Sequence, residues 1–176
     1  MENNTGIIVS PGKELENIAL AVLSEYGIIP GSLSLIQGGN IKTVWKVKAQ
    51  GNWLCLKRLK QTPDKATFSV YAQIYIKSNG GKVPGIILNK NNSPITIYNE
   101  QVFVLYEWID GKDLNLDVPS DLHHALRGLA GFHIASRGYC PDKKARVSSK
   151  LGKWPEQYTS MKNRLSAWRE IARDKV

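Results

Sequence analysis

The chain has 176 residues, 42% of them apolar and 22% charged, with a formal net charge of +9. This is the composition of an ordinary globular polypeptide of one domain or slightly more. It excludes a bilayer-spanning chain: the apolar runs Ile18–Leu23 and Val102–Tyr106 are far too short, and the opening MENNTGIIVSPGKE has neither a basic segment nor a sustained apolar one. The expected location is therefore the cytoplasm.

The two cysteines, Cys55 and Cys140, have no metal-ligand spacing around them, which argues against a disulfide and against zinc. Residues 137–176 hold 11 basic and four acidic side chains, and such a tail favours anionic partners. A solvated helix face and a lysine-bearing loop account for it. Nucleic-acid binding is disfavoured because no aromatic-interleaved basic strand accompanies the charge.

Ser10-Pro11 predicts a helix start, with Leu15, Ile18, Ala19, Val22, Leu23 and Tyr26 forming one apolar stripe and Gly27 closing it. Pro30-Gly31 turns the chain into a strand from Ser32 to Gln37, where Leu33 and Leu35 alternate with serines. Gly38-Gly39-Asn40 is a tight corner, followed by strands Thr43–Ala49 and Trp53–Leu59 around a turn at Gly51-Asn52. Glycines there let main-chain N–H groups approach a phosphate closely, although a plain hairpin turn would also use them. Asn40 and Thr43 are candidate donors, and Val44 and Val47 offer apolar cover suited to a flat base. Alternation places Lys57 on the same face as Trp53, Cys55 and Leu59, with Leu54, Leu56 and Arg58 opposite. A lysine on a half-apolar face is costly unless it meets an anion.

A second helix is predicted from Pro63 to about Ser78 with Phe68, Tyr71, Ala72 and Tyr75 on its stripe. Short strands Gly85–Asn89 and Pro94–Tyr98 follow, then a strand Gln101–Trp108 apolar on both faces. Further helices are expected from Asp121 to about Arg137 and from Pro155 to about Asp174, separated by a basic loop. The first of these is apolar on more than one side, so a sizeable exposed patch and self-association are expected. His123, His124 and His133 lack any nucleophile pattern and are read as structural.

Three stretches carry a family resemblance: GGNIKTVWKV followed by LCLK, FVLYEWIDG from Phe103 to Gly111, and ALRGLAGFHIAS from Ala125 to Ser136. Together they resemble the nucleotide loop and strand lysine, the interlobe hinge and the first C-lobe helix of the kinase-like aminoglycoside/choline phosphotransferase superfamily. The CLKRL strand, the tryptophan-bearing hinge and the tail WREIA look similar to its CotS-type spore coat proteins. The resemblance implies an α+β fold: a protein-kinase-like N-terminal lobe with a five-stranded antiparallel sheet at 1–109, then hinge and first C-lobe helices at 110–176. It implies weak ATP binding by Gly38, Gly39, Asn40, Thr43, Val44, Cys55, Lys57, Glu107 and Ile109. In that arrangement Lys57 meets the α and β phosphates, Cys55 lies against adenine, and the backbone of Glu107 and Ile109 meets its edge.

Two departures shape the functional expectation. The second helix has no glutamate to pair with Lys57, leaving Gln73 or a phosphate as its partner, and no H-x-D-x-x-x-x-N segment occurs. With that segment lacking, Mg binding and catalysis are not expected of this chain, which reads as the front part of a longer protein. The leading expectation is a non-catalytic coat component, located in the mother-cell cytoplasm or spore coat, with coat proteins or itself as partners. The alternative is the N-terminal half of a small-molecule phosphotransferase.

Overall fold

The computed structural model describes residues 11–37, 43–141 and 154–173. Helix α1 (Pro11–Ser24) leads into β1 (Ser32–Gln37), β2 (Thr43–Ala49) and β3 (Asn52–Leu59). Then come α2 (Pro63–Ser78), β4 (Ile86–Ile87), β5 (Thr96–Tyr98), β6 (Gln101–Glu107), α3 (Pro119–Ala135) and α4 (Trp154–Arg173). The chain divides into two compact units, Met1–Ala145 and Arg146–Val176.

The sheet is antiparallel with order β1-β2-β3-β6-β4, and β5 also pairs with β6. Its six strands are the six segments marked in the sequence, one more than the five of the implied sheet. β4 pairs with Leu105 and Tyr106 and β5 with Gln101 to Phe103, both on β6, so together they cover that strand in two pieces. The interruption is built by Asn89, whose Oδ1 accepts from the N–H groups of Asn91 and Ser93 while its Nδ2 donates to the Ile95 carbonyl. That turn ends β4 earlier and starts β5 later than the apolar pattern alone suggested.

The β2–β3 turn is Gln50-Gly51, both at positive φ, so β3 begins one residue before Trp53. Two left-handed central residues match the twist of paired strands, and glycine occupies one without penalty. At β1 the expected alternation fails: the register shifts between Leu35 and Gln37, and Leu35 and Ile36 are exposed. A bulge on an edge strand has this effect.

Two apolar clusters flank the sheet. On one face Ala19, Val22 and Leu23 of α1 pack on Trp45, Val47, Leu56, Phe103 and Leu105, with Leu15, Ile18 and Tyr26 partly buried around them. The predicted stripe of α1 thus meets the alternate residues of three strands. On the other face Cys55, Val104 and Tyr106 pack with Val70 and Ile74 of α2.

Helix α2 buries Ala66, Val70 and Ile76, a side rotated from the predicted stripe, and leaves Tyr71 exposed. Phe68 and Tyr75 instead meet Tyr139 edge-on and tilted, at centroid distances of 5.8 and 5.5 Å. Having neighbours on two sides makes a single-stripe reading incomplete. The helix ends in a double turn in which Gly81 N–H donates to Ile76 O and Gly80 N–H to Lys77 O, with Gly80 at positive φ.

Helix α3 buries only Ala135, while Leu122, Leu126, Leu129, Phe132 and Ile134 are exposed, an apolar side of the kind expected. In the second unit, α4 likewise exposes Tyr158, Met161, Leu165 and Trp168. Among the described residues no helix is long and apolar enough to cross a membrane.

Leu56 is fully buried in the sheet centre, so Leu56→Ala is expected to lower unfolding free energy by about 2–5 kcal/mol. Leu126→Ala on exposed α3 should change it by no more than about 0.5 kcal/mol. Urea unfolding of the two variants checks the contrast.

Candidate functional site

Antiparallel pairing decides which side chains share a face. Lys57 stands opposite Val44 on one neighbour and Val104 on the other, while Cys55 stands opposite Lys46 and Tyr106. Val44, Cys55, Lys57, Val104 and Tyr106 therefore share the α2 side of the sheet, as the alternation within β3 required. Leu54 and Leu56 join the α1 cluster on the opposite side.

The Lys57 ammonium lies 5.3 Å from the centre of the Tyr106 ring, within the range of attraction between a cation and an aromatic face. Lys57 is half-buried, and its apolar neighbours give its charge no solvation. The acidic residue in the first turn of α2 is Asp64. Gln73, the other expected partner, donates its side-chain amide to the Pro84 carbonyl at 2.8 Å. Among the described residues no carboxylate lies within ion-pair distance of Lys57. The lysine thus presents a charge to a face whose described groups do not neutralise it.

Burial pushes the Cys55 thiol above its ordinary value, opposed by the nearby Lys57 charge. Burial also pushes the Tyr106 phenol up to about 12, with Cys55 and Tyr26 adding to the effect. Both groups are neutral at pH 7 and act as an apolar wall. Sequence reading missed Tyr106. The signal was available, because pairing β3 with the apolar run of β6 brings one aromatic residue of that run onto the lysine face.

At the end of β6 the chain is tied in three directions. Trp108 N–H donates to the Trp53 carbonyl and Glu107 N–H to the Gly85 carbonyl. The Glu107 carboxylate accepts from Gly85 N–H at 2.9 Å and from Lys77 Nζ at 3.3 Å. Glutamate and lysine do meet between sheet and α2, but with the lysine on the helix and the pair at the strand end. Beyond it Ile109 is exposed, and among the described residues its N–H has no backbone partner.

A second cationic group braces this end: Lys46 Nζ sits 4.5 Å from the Trp53 ring and 4.2 Å from the Trp108 ring. Trp108 is oriented in turn by its indole N–H donating to Asp110.

The structure does not gather every candidate. Thr43 is fully buried on the α1 side, paired with Arg58, so its hydroxyl lies across the sheet from Lys57. Its neighbour Val44 is half-buried on the Lys57 face. Gly38, Gly39 and Asn40 lie outside the described residues. His123 contacts Arg127 on exposed α3, remote in sequence from the strand residues of the site. Among the described residues no three His, Cys, Asp or Glu side chains come together to hold a metal.

The Glu107 carboxyl is held below its ordinary value of 4.5, first by the Gly85 N–H and then by Lys77. A carboxylate with a lowered folded-state pKa stabilises the fold above its unfolded value, and the gain disappears as pH falls through the folded value. Wild type is accordingly expected to exceed Glu107→Gln in stability at pH 7, with the two converging well below pH 4.5. Gly85→Ala should mimic the loss, because a Cβ there would stand 2.5–2.7 Å from the Glu107 carboxylate atoms. Thermal melts across pH measure both.

No family model matches the chain. Several solved structures share its fold. An aminoglycoside phosphotransferase from Alicyclobacillus acidocaldarius aligns with a TM-score of 0.59 at 17% identity, over 92% of this chain and 44% of that one. A microcompartment-associated aminopropanol kinase aligns with a TM-score of 0.63 at 17% identity, over 76% and 45%. A spectinomycin phosphotransferase, in complex with ADP and spectinomycin, aligns with a TM-score of 0.53 at 17% identity, over 85% and 46%. The chain spans less than half the length of each. The fold is that of a kinase-like phosphotransferase N-terminal lobe.

Proposed function

We propose that this chain is a nucleotide-holding lobe, binding ATP against the sheet face that carries Lys57. The observation that carries the reading is a half-buried ammonium, without a carboxylate partner among the described residues, beside the apolar wall of Val44, Cys55 and Tyr106. Such a face suits a polyphosphate joined to a flat aromatic base: Lys57 meets the charge and the wall covers the ring. Past Tyr106, the Ile109 N–H and the Glu107 carbonyl are the candidate contacts for the adenine edge, and the boundary between lobes falls after Ile109. Gly38, Gly39 and Asn40 are the proposed phosphate corner. The fold of the spectinomycin phosphotransferase seen with ADP supports nucleotide as the ligand class.

Holding, rather than transfer, is the role of this chain by itself. Its sequence contains no H-x-D-x-x-x-x-N segment to position an acceptor hydroxyl or bind Mg, and among the described residues no helix carboxylate pairs with Lys57. The finer reading is a CotS-type coat component acting as a scaffold in the spore, with coat proteins or a second copy against its apolar helices. Its support is the sequence resemblance in the CLKRL strand, the hinge and the WREIA tail. The alternative is a small-molecule phosphotransferase whose acceptor is an aminoglycoside or choline-like hydroxyl, with catalytic groups supplied from outside these residues. Its support is the shared fold.

Equilibrium dialysis is expected to show weak ATP binding that Lys57→Met lowers by about tenfold, a loss typical of a charged hydrogen-bonding partner. Purified chain should transfer and hydrolyse no phosphate. Turnover that depends on Lys57, or binding indifferent to it, would overturn the reading.

A further inference from the structure

We propose that Tyr106 is the positioning residue of Lys57, its ring face holding an ammonium that, among the described residues, no carboxylate of α2 pairs with. The proposal rests on the nucleotide reading for its consequence in binding, but the contact itself is independent of it. The Lys57 ammonium lies 5.3 Å from the Tyr106 ring centre, and the ring is fixed. Tyr106 is 8% exposed, packed among Cys55, Val70 and Val104, on a strand paired on both sides.

The competing partners are otherwise engaged or misplaced. Gln73 is bonded to Pro84, Glu107 to Gly85 and Lys77. The other close lysine–aromatic contacts near this end of the sheet belong to Lys46 and Lys48 on the tryptophans.

An aromatic face differs from a carboxylate in one respect that matters for the ligand. It attracts the cation without neutralising it, so Lys57 keeps its full charge for an incoming phosphate. It also costs less to leave, because no desolvated anion remains behind when the ammonium swings toward the ligand. The same neutrality holds across the accessible pH range, since the phenol titrates only at about 12.

The test combines a contact measurement with a binding cycle. In the full chain labelled at lysine, the Lys57 ε-CH2 resonance, assigned by its loss in Lys57→Met, should carry an aromatic ring-current shift. That shift should persist in Tyr106→Phe and disappear in Tyr106→Leu. ATP affinity should be lower by roughly two- to tenfold in Tyr106→Leu than in Tyr106→Phe, and that difference should shrink when both are placed in the Lys57→Met background.

If Tyr106→Leu does not fold, a fluorinated phenylalanine at 106 keeps the shape while removing the negative ring face, and the same loss is expected. An unshifted Lys57 resonance overturns the proposal, as does an equal loss of affinity in both lysine backgrounds. Weakening by Lys57→Met without any effect at 106 overturns it while leaving the nucleotide reading intact. Absence of ATP binding in the wild type removes that reading, and the ring-current result alone then decides the contact.

Discussion

β6 is a strand with no exposed side: Val102 to Tyr106 are all buried, β3 lies along one edge, and β4 with β5 lies along the other. Because successive side chains point to opposite faces, this strand contributes to two separate cores. Phe103 and Leu105 serve the α1 side, Val104 and Tyr106 the α2 side. A one-residue slip against β3 would exchange the two sets, bury Lys57 under α1 and expose Leu56. The functional face is thus fixed by the packing of its opposite face, through residues that never touch a ligand.

That constraint explains why a charge can be maintained beside Cys55 and Tyr106. The sheet is already secured by the Trp45 and Leu56 side, so the α2 side tolerates a cation held against an aromatic ring. The strand end is secured by neighbouring interactions, with Glu107 on Gly85 and Lys77 and Lys46 between two tryptophans. Exposed ion pairs of this kind contribute little stability on average. Their role here is to orient the last residues of β6, from which Trp108 and Ile109 lead away.

Much of this was legible in the residues because it depends on local periodicity. The stripe of α1, the faces of β3 and the bounds of α2 follow from spacings of three, four and two, which neighbours seldom override. The features that were misjudged depend on neighbours. The buried side of α2 is set jointly by the sheet and Tyr139, the shortness of β4 and β5 by the Asn89 turn, and the break in β1 by a bulge. Alternation within β3 placed Lys57 and Cys55 on the α2 face, whereas Val44 was named with Val47, which the structure buries on the α1 side. Thr43 was not recognised as facing away, although the same rule, applied across the β2–β3 register, puts it with Arg58. Tyr106 was overlooked because it stands 49 residues from Lys57 in sequence and reaches the lysine face only once β6 is paired with β3.

The central claim is that a polyphosphate occupies the space in front of the Lys57 ammonium. An ATP derivative with a reactive acyl phosphate acylates whichever lysine approaches its phosphates, so peptide mass spectrometry of the labelled chain locates the site directly. The account predicts that Lys57 is acylated before the exposed lysines and is protected by excess unmodified ATP. Acylation spread over Lys46, Lys48 and the basic tail, with Lys57 untouched and no protection by ATP, would contradict it.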